Sequence, residues 1–208
     1  MHEAESAFIP MHETESAFIF INVEQAVGFG HIGWGFHIGG QDYRYGSTDH
    51  LWRARYPYWH LPEVIRYMEV APRANNDFWS RTGSYEQMMT EMRIGRHVRY
   101  HQFKVVPVEN PAPQDAIEFA ESVKDDGWNV LLNNCVHQTY NVLTKYGATL
   151  PDPYRLLNRF PKNWFAAIPG APIKLRPMPK PEESSICSLK KPEVLIQPAE
   201  SEANRRAG

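Results

Sequence analysis

Hydrophobic and polar positions change their period several times along the chain, and each change predicts an element. Ala17 to Val23 is a short apolar run and predicts a first strand. From His31 the pattern alternates: Ile32, Trp34, Phe36 and Ile38 fall on one side of an extended chain, and His31, Gly33, Gly35 and His37 on the other. The first side reads as a core face and the second as a more open one, suited to a cleft wall. Gly39-Gly40 then predicts a turn, with a returning strand through Tyr43 to Tyr45. Pro62-Glu63 opens a helix through Val70, and 74–83 reads as loop. Ser84 followed by Gln87 is a capping-box pattern for a helix to about Ile94, with Met88, Met89 and Met92 as core filler. Alternation returns over Val98 to Val108 as a strand. A helix follows over Gln114 to Lys124, then a short extended lead-in over Trp128 to Leu132. Val136, Tyr140, Leu143 and Tyr146 recur at helical spacing behind Asn134, a good N-cap, and Gly147 is a natural residue to end that helix. Tyr154 to Phe160 predicts one more short helix, with Trp164 and Phe165 packing on the body.

Composition narrows the class. The chain has 208 residues, with 22 Lys and Arg against 24 Asp and Glu, which fits one domain with extensions. No basic excess points to nucleic acid. Residues 1–10 are nearly repeated by 11–20, and the first copy reads as lying outside the fold. Three segments are expected: an N-terminal extension over 1–16, a catalytic domain over 17–168, and a Pro/Lys/Glu/Ser-rich disordered tail over 169–208. No segment is long and apolar enough to span a membrane, and the acidic N-terminus lacks the form of a signal peptide. The default expectation is therefore the cytoplasm, or export by another route. The two cysteines, Cys135 and Cys187, indicate no disulfide framework and accept a reducing compartment.

The candidate chemistry lies at two places. Cys135 falls in the first turn of a helix, where unpaired backbone N–H groups and the helix dipole favour a thiolate. The competing reading is a small buried hydrophobe. His31 stands at the start of the glycine-rich strand. His37 reads as a rim residue, and His137 as a histidine bonded to a nearby backbone group. His97 and His101 share a face four residues apart but, in a strand, are too far apart to bind one ion directly; a zinc site survives only if that segment is helical. Trp52, Tyr56, Tyr58 and Trp59 read as capping the core's edge, or as lining a groove. Cys187 lies in the tail and reads as incidental.

The run Gly30-His31-Ile32-Gly33-Trp34-Gly35-Phe36, a Gly-Gly turn with a second strand, and later Asn134-Cys135-Val136-His137 heading a helix that ends in Tyr146-Gly147 resemble the circularly permuted papain-like superfamily. That superfamily includes NlpC-like amidases and endopeptidases and the lecithin–retinol acyltransferase group. The resemblance covers about residues 18–168. It implies an α+β fold with a small antiparallel sheet packed on helices, with Cys135 as nucleophile and His31 as general base. The third position falls near Tyr45, where the superfamily more often carries His, Asn, Gln or an acid. Ser47 and Asp49 just beyond are the other orienting candidates, beside Asn134 ahead of the nucleophile. The activity implied is a cysteine-dependent hydrolase of the amidase or peptidase kind, acting on a peptide or acyl-bearing substrate in a cleft, with no cofactor and no metal. The alternatives are a non-catalytic binding module on the same scaffold, a lipid acyltransferase or thioesterase, and a metal-dependent hydrolase using the histidines. The chain does not specify an oligomeric state.

Overall fold

Ala17, Ile19 and Ile21 alternate with Phe18 and Phe20 along strand β1 (Ser16–Asn22), and both sets are buried. A strand apolar on both sides must be covered on both sides, and the architecture follows from that. The computed structural model describes residues 15–49, 69–74, 77–94 and 99–175. Within them β2 (His31–Gly39), β3 (Asp42–Thr48), β5 (Phe78–Ser84), β6 (Gln102–Pro107) and β8 (Ile173–Lys174) join β1 in one sheet, in the order β5-β3-β2-β1-β6-β8. Every neighbouring pair is antiparallel. Strands β4 (Glu69–Val70) and β7 (Trp128–Asn129) pair separately. The helices are α1 (Tyr85–Ile94), α2 (Pro113–Ser122), α3 (Cys135–Tyr146) and α4 (Pro161–Ala167). The fold is mixed α+β, an open antiparallel sheet packed on helices. No helix among the described residues is long and apolar enough to cross a membrane.

One face of the sheet carries Ala17, Ile19, Ile21, Ile32, Trp34 and Phe36. They pack with Ala116 and Ala120 of α2, Val136, Val142, Leu143 and Tyr146 of α3, and Trp164 and Phe165 of α4. The other face carries Phe18, Phe20, Tyr43, Tyr45, Trp79 and Phe103 with Met88 and Met92 of α1 and Tyr100. The side of β2 bearing His31 is therefore not the open wall expected from its glycines. A Cβ on Gly33 would lie 2.8 Å from the Tyr100 ring and hydroxyl, and one on Gly35 would lie 2.6 Å from the Met88 sulfur. The glycines make room for large side chains arriving from other elements, a packing partner that alternation along one strand does not reveal.

The predicted first strand, the Gly-Gly hairpin and the helix after Asn134 all form. Ser84 and Gln87 cap α1 reciprocally: Gln87 Oε1 accepts from Ser84 N at 2.8 Å, and Gln87 N donates to Ser84 Oγ at 3.2 Å. Helix α3 ends at Gly147 with φ 108°, and the Gly147 and Ala148 N–H groups bond back to its last turn. Other expectations change. The stretch 74–83 contains most of β5, an edge strand whose Ser, Arg, Thr and Gly residues hide the pattern and which gives the core a buried Trp79 and a partly buried Phe78. Glu69 and Val70 are extended rather than helical, because they pair with Trp128 and Asn129. The lead-in to Cys135 is extended only over Trp128–Asn129. It then reverses, with Asn129 Oδ1 accepting from Leu131 N and Leu132 N. The predicted helix over 154–160 is a short 3-10 turn, Leu156–Arg159. Within the stretch read as tail, β8 adds to the edge of β6 and satisfies backbone groups there. Residues 1–14, the aromatic segment with Trp52, Tyr56, Tyr58 and Trp59, His97, and Cys187 lie outside the described residues.

Candidate active site

Asn134 begins the site. Its Oδ1 accepts from Val136 N at 2.9 Å and His137 N at 3.4 Å, which satisfies two of the orphan donors at the start of α3. The same oxygen accepts from His137 Nδ1 at 2.9 Å, and Nδ2 donates to Val130 O and Arg159 O at 2.9 and 3.0 Å. Both ends of this amide are occupied, so Asn134 positions the helix mouth and its side chain is not free to hold an oxyanion. It also ties together two segments whose leucines are exposed among the described residues: Leu131 and Leu132 before Cys135, and Leu156 and Leu157 in the 3-10 turn.

His137 is fully buried, and the partner of its ring is the Asn134 side chain rather than a backbone carbonyl. Because Nδ1 must donate to Asn134, Nε2 is the bare nitrogen, and it has no hydrogen-bond partner among the described residues. Burial and then the Arg159 charge hold His137 down at about 4, partly opposed by Asp152. A histidine depressed in the folded state contributes stability above its unfolded value near 6.5. That contribution is lost as pH falls from about 6.5 toward about 4. Wild type is expected to lose a few kcal/mol over that window, and His137→Asn to lose less, in urea midpoints measured from pH 7 to 4.5. Parallel profiles for the two proteins would refute this.

Cys135 follows the cap and is 6% exposed. Its hydrogen-bond partner is His31, itself 5% exposed at the first position of β2. The pair thus joins a helix mouth to a sheet edge across about a hundred residues of sequence. The far side of the imidazole is held as well. Nε2 lies 3.0 Å from Ser47 Oγ and 3.2 Å from Asp49 Oδ1. Ser47 spends its own proton on Ile32 O at 3.2 Å, so its oxygen accepts from Nε2–H. The Nε2–H is thus shared between Ser47 and Asp49, which leaves Nδ1 for the thiol.

Asp49 has a fully buried side chain. A buried carboxylate needs donors for its lone pairs, and three converge: Trp79 Nε1 on Oδ2 at 2.7 Å, and Tyr100 Oη and His31 Nε2 on Oδ1 at 3.3 and 3.2 Å. Burial alone pushes His31 down. The charge on Cys135, the hydrogen bonds with Asp49 and Cys135, and the Asp49 charge push it up by more, to about 10. His31 is therefore held as an imidazolium beside the Cys135 sulfur.

Of the residues predicted from sequence, Cys135, His31, Ser47 and Asp49 come together, with Asn134 behind them. Tyr45 does not join them. Its ring meets Trp79 edge-on at 6.2 Å, and its hydroxyl bonds Glu91 of α1. Burial and then Glu91 push it up to about 12. The reason is register: Tyr45 pairs with Gly35, well along β2, whereas the end of β3 approaches His31. His37 bonds Gly40 O at 3.0 Å in its own turn. His101 Nδ1 accepts from Val23 N at 3.3 Å, and no group of three metal-ligating side chains occurs among the described residues. A shallow depression lined by Ser84, Glu86, Gln87, Thr90 and Glu91 lies on α1 and contains none of these site residues. Trp79 and Tyr100 were missed from sequence. Neither carries a motif, and the one available signal was Gly33, which leaves the space that Tyr100 fills. Comparison with protein-family models, curated proteins and solved structures finds no match to this chain.

Proposed function

We propose that this protein is a cysteine-dependent acyl-transfer enzyme, a hydrolase of the amidase or peptidase kind on a papain-like scaffold, with Cys135, His31 and Asp49 as its triad. One observation carries the reading: His31 is held between the Cys135 thiol on one side and Asp49 with Ser47 on the other, all nearly or fully buried. A thiol that merely filled space would need no such imidazole, and the imidazole no buried carboxylate.

In the proposed reaction the Cys135 thiolate attacks a substrate carbonyl, and a carbon–sulfur bond forms as the carbonyl electrons move onto oxygen. The Cys135 backbone N–H, at the positive end of α3, is one donor to that oxyanion. The oxyanion collapses, the bond to the amine or alcohol breaks, and His31 gives its proton to the leaving group. Water then attacks the thioester while His31 takes one of its protons, which releases the acid and restores the pair. Asp49 accepts from the imidazole throughout and stabilises the imidazolium.

The test uses a Cys187→Ala background, so that Cys135 is the sole thiol. Iodoacetamide at neutral pH is expected to alkylate Cys135 at least ~10-fold faster than free cysteine, and p-nitrophenyl acetate to leave a transient acetyl-thioester visible by intact mass. His31→Ala will suppress both, and adding Cys135→Ala will abolish both. Alkylation no faster than free cysteine, with no acyl adduct, would reduce the site to a buried thiol.

A further inference from the structure

We propose that Tyr100 is a positioning residue of this site, one whose hydroxyl fixes the Asp49 carboxylate while its ring walls the His31 imidazole against Cys135. The inference rests on the reading of Cys135, His31 and Asp49 as a triad, and it adds a fourth residue.

The geometry gives Tyr100 two separate contacts with the triad. Its hydroxyl donates to Asp49 Oδ1 at 3.3 Å, the same oxygen that His31 Nε2 approaches at 3.2 Å. Its ring lies along the imidazole, centroids 6.0 Å apart and planes 30° from parallel. The hydroxyl is also within hydrogen-bonding reach of Ser47. Ser47 already gives its proton to Ile32 O, so the phenol proton has Asp49 as its charged acceptor. Tyr100 is 1% exposed, so it does not touch substrate. Burial and the nearby Asp49 charge raise its own ionisation well above the ordinary tyrosine range, so it remains a donor at every working pH.

Packing alone does not account for this arrangement. A phenylalanine would fill the same space beside Phe20, whose ring sits 6.1 Å away. Placing a hydroxyl in an apolar layer costs free energy unless it finds a partner, and here the partner is a buried charge shared with the general base. The space itself is reserved from another strand. Any Cβ at residue 33 would fall 2.8 Å from both the phenol oxygen and the carbon that bears it. Tyr100 is anchored from behind by its own backbone, whose N–H donates to Met92 O at 3.0 Å. With the hydroxyl removed, Asp49 Oδ1 keeps only His31 and the carboxylate is free to rotate about its remaining Trp79 bond. The imidazole then loses its fixed angle to the sulfur.

The experiment compares Tyr100→Phe, Gly33→Ala and the double variant in the Cys187→Ala background. The second-order rate of Cys135 alkylation by iodoacetamide is followed from pH 5 to 10, together with the downfield Nε2–H proton resonance of His31. Tyr100→Phe is expected to slow alkylation at neutral pH about tenfold, to move the midpoint of the pH profile, and to broaden the His31 Nε2–H resonance by exchange with water. Gly33→Ala reaches the same hydroxyl from β2 and is expected to reproduce the effect even if Tyr100→Phe folds poorly. The double variant will be no slower than the slower single, because both changes remove one contact. An unchanged rate and resonance in Tyr100→Phe, alongside a loss in Asp49→Ala, would overturn the role of Tyr100 and leave the triad standing. No loss in Asp49→Ala either would overturn both.

Discussion

Asp49→Ala will lose most of the reactivity of Cys135 and several kcal/mol of stability together. The carboxylate accepts from an indole N–H, a phenol and an imidazole, and its side chain has no exposure to water. Truncation to alanine leaves all three donors facing a small hole. A buried donor without a partner costs about 1–3 kcal/mol; Trp79 and Tyr100 lose their acceptor while His31 Nε2 keeps Ser47, so the loss comes to about 2–6 kcal/mol. The reactivity loss has a separate cause. Without Asp49 the imidazolium loses an anion and a hydrogen bond, so the proton is held less firmly and the ring is free to turn away from the sulfur. Acylation by p-nitrophenyl acetate is expected to fall by about 10² or more, by analogy with loss of the orienting carboxylate in other triads. Asp49→Asn separates the two effects. It keeps the volume and one acceptor oxygen but places an amide N–H₂ against existing donors, so reactivity falls as far while stability falls less. Denaturant midpoints and acylation rates on the three proteins are sufficient to check this. Wild-type rates in Asp49→Ala would remove the carboxylate from the mechanism.

The parts that were legible in the sequence are local ones. A short apolar run marked β1 and period-two alternation marked β2, and Asn134 and Gly147 marked the two ends of α3, because capping and turn chemistry are decided within a few residues. Cys135 and His31 stood out because each sits beside an unusual local signal, a capped helix mouth and a glycine-rich strand. The third member was harder. Counting from the Gly39-Gly40 turn placed Tyr45 near His31, yet the ladder shifts register between His37 and Gly39, and His31 lies at the far end of β2. The end of the returning strand, not its middle, faces His31, which brings Ser47 and Asp49 to it. Trp79 and Tyr100 were beyond reach because their partners are set by strand order: β5 flanks β3, and Tyr100 leads toward β6 on the other side of β1. Each meets Asp49 from far along the chain, 30 residues away for Trp79 and 51 for Tyr100.

The second large effect concerns the proton on His31. In wild type the imidazole stands at about 10: burial pushes it down, and the charge on Cys135 is the largest influence pushing it up. Cys135→Ser keeps Asp49, Ser47 and nearly the same volume but removes that charge. The His31 value is therefore expected to fall by about 1–3 units, the range for loss of one neighbouring opposite charge. Long-range nitrogen–proton NMR of the imidazole measures it directly. Stability must follow with a defined sign. A histidine raised in the folded state gives its full contribution below its unfolded value near 6.5. It loses that contribution as pH climbs through the folded value, here about 10. Wild type will therefore lose stability between about pH 6.5 and 10, while Cys135→Ser, whose His31 value lies lower, stays flatter at the alkaline end. Tyrosines and lysines that titrate in the same range are common to both proteins and cancel in the difference. A His31 value unchanged by Cys135→Ser, with superimposable alkaline unfolding curves, would mean that no charge resides on the sulfur, and the nucleophile would lose its physical basis.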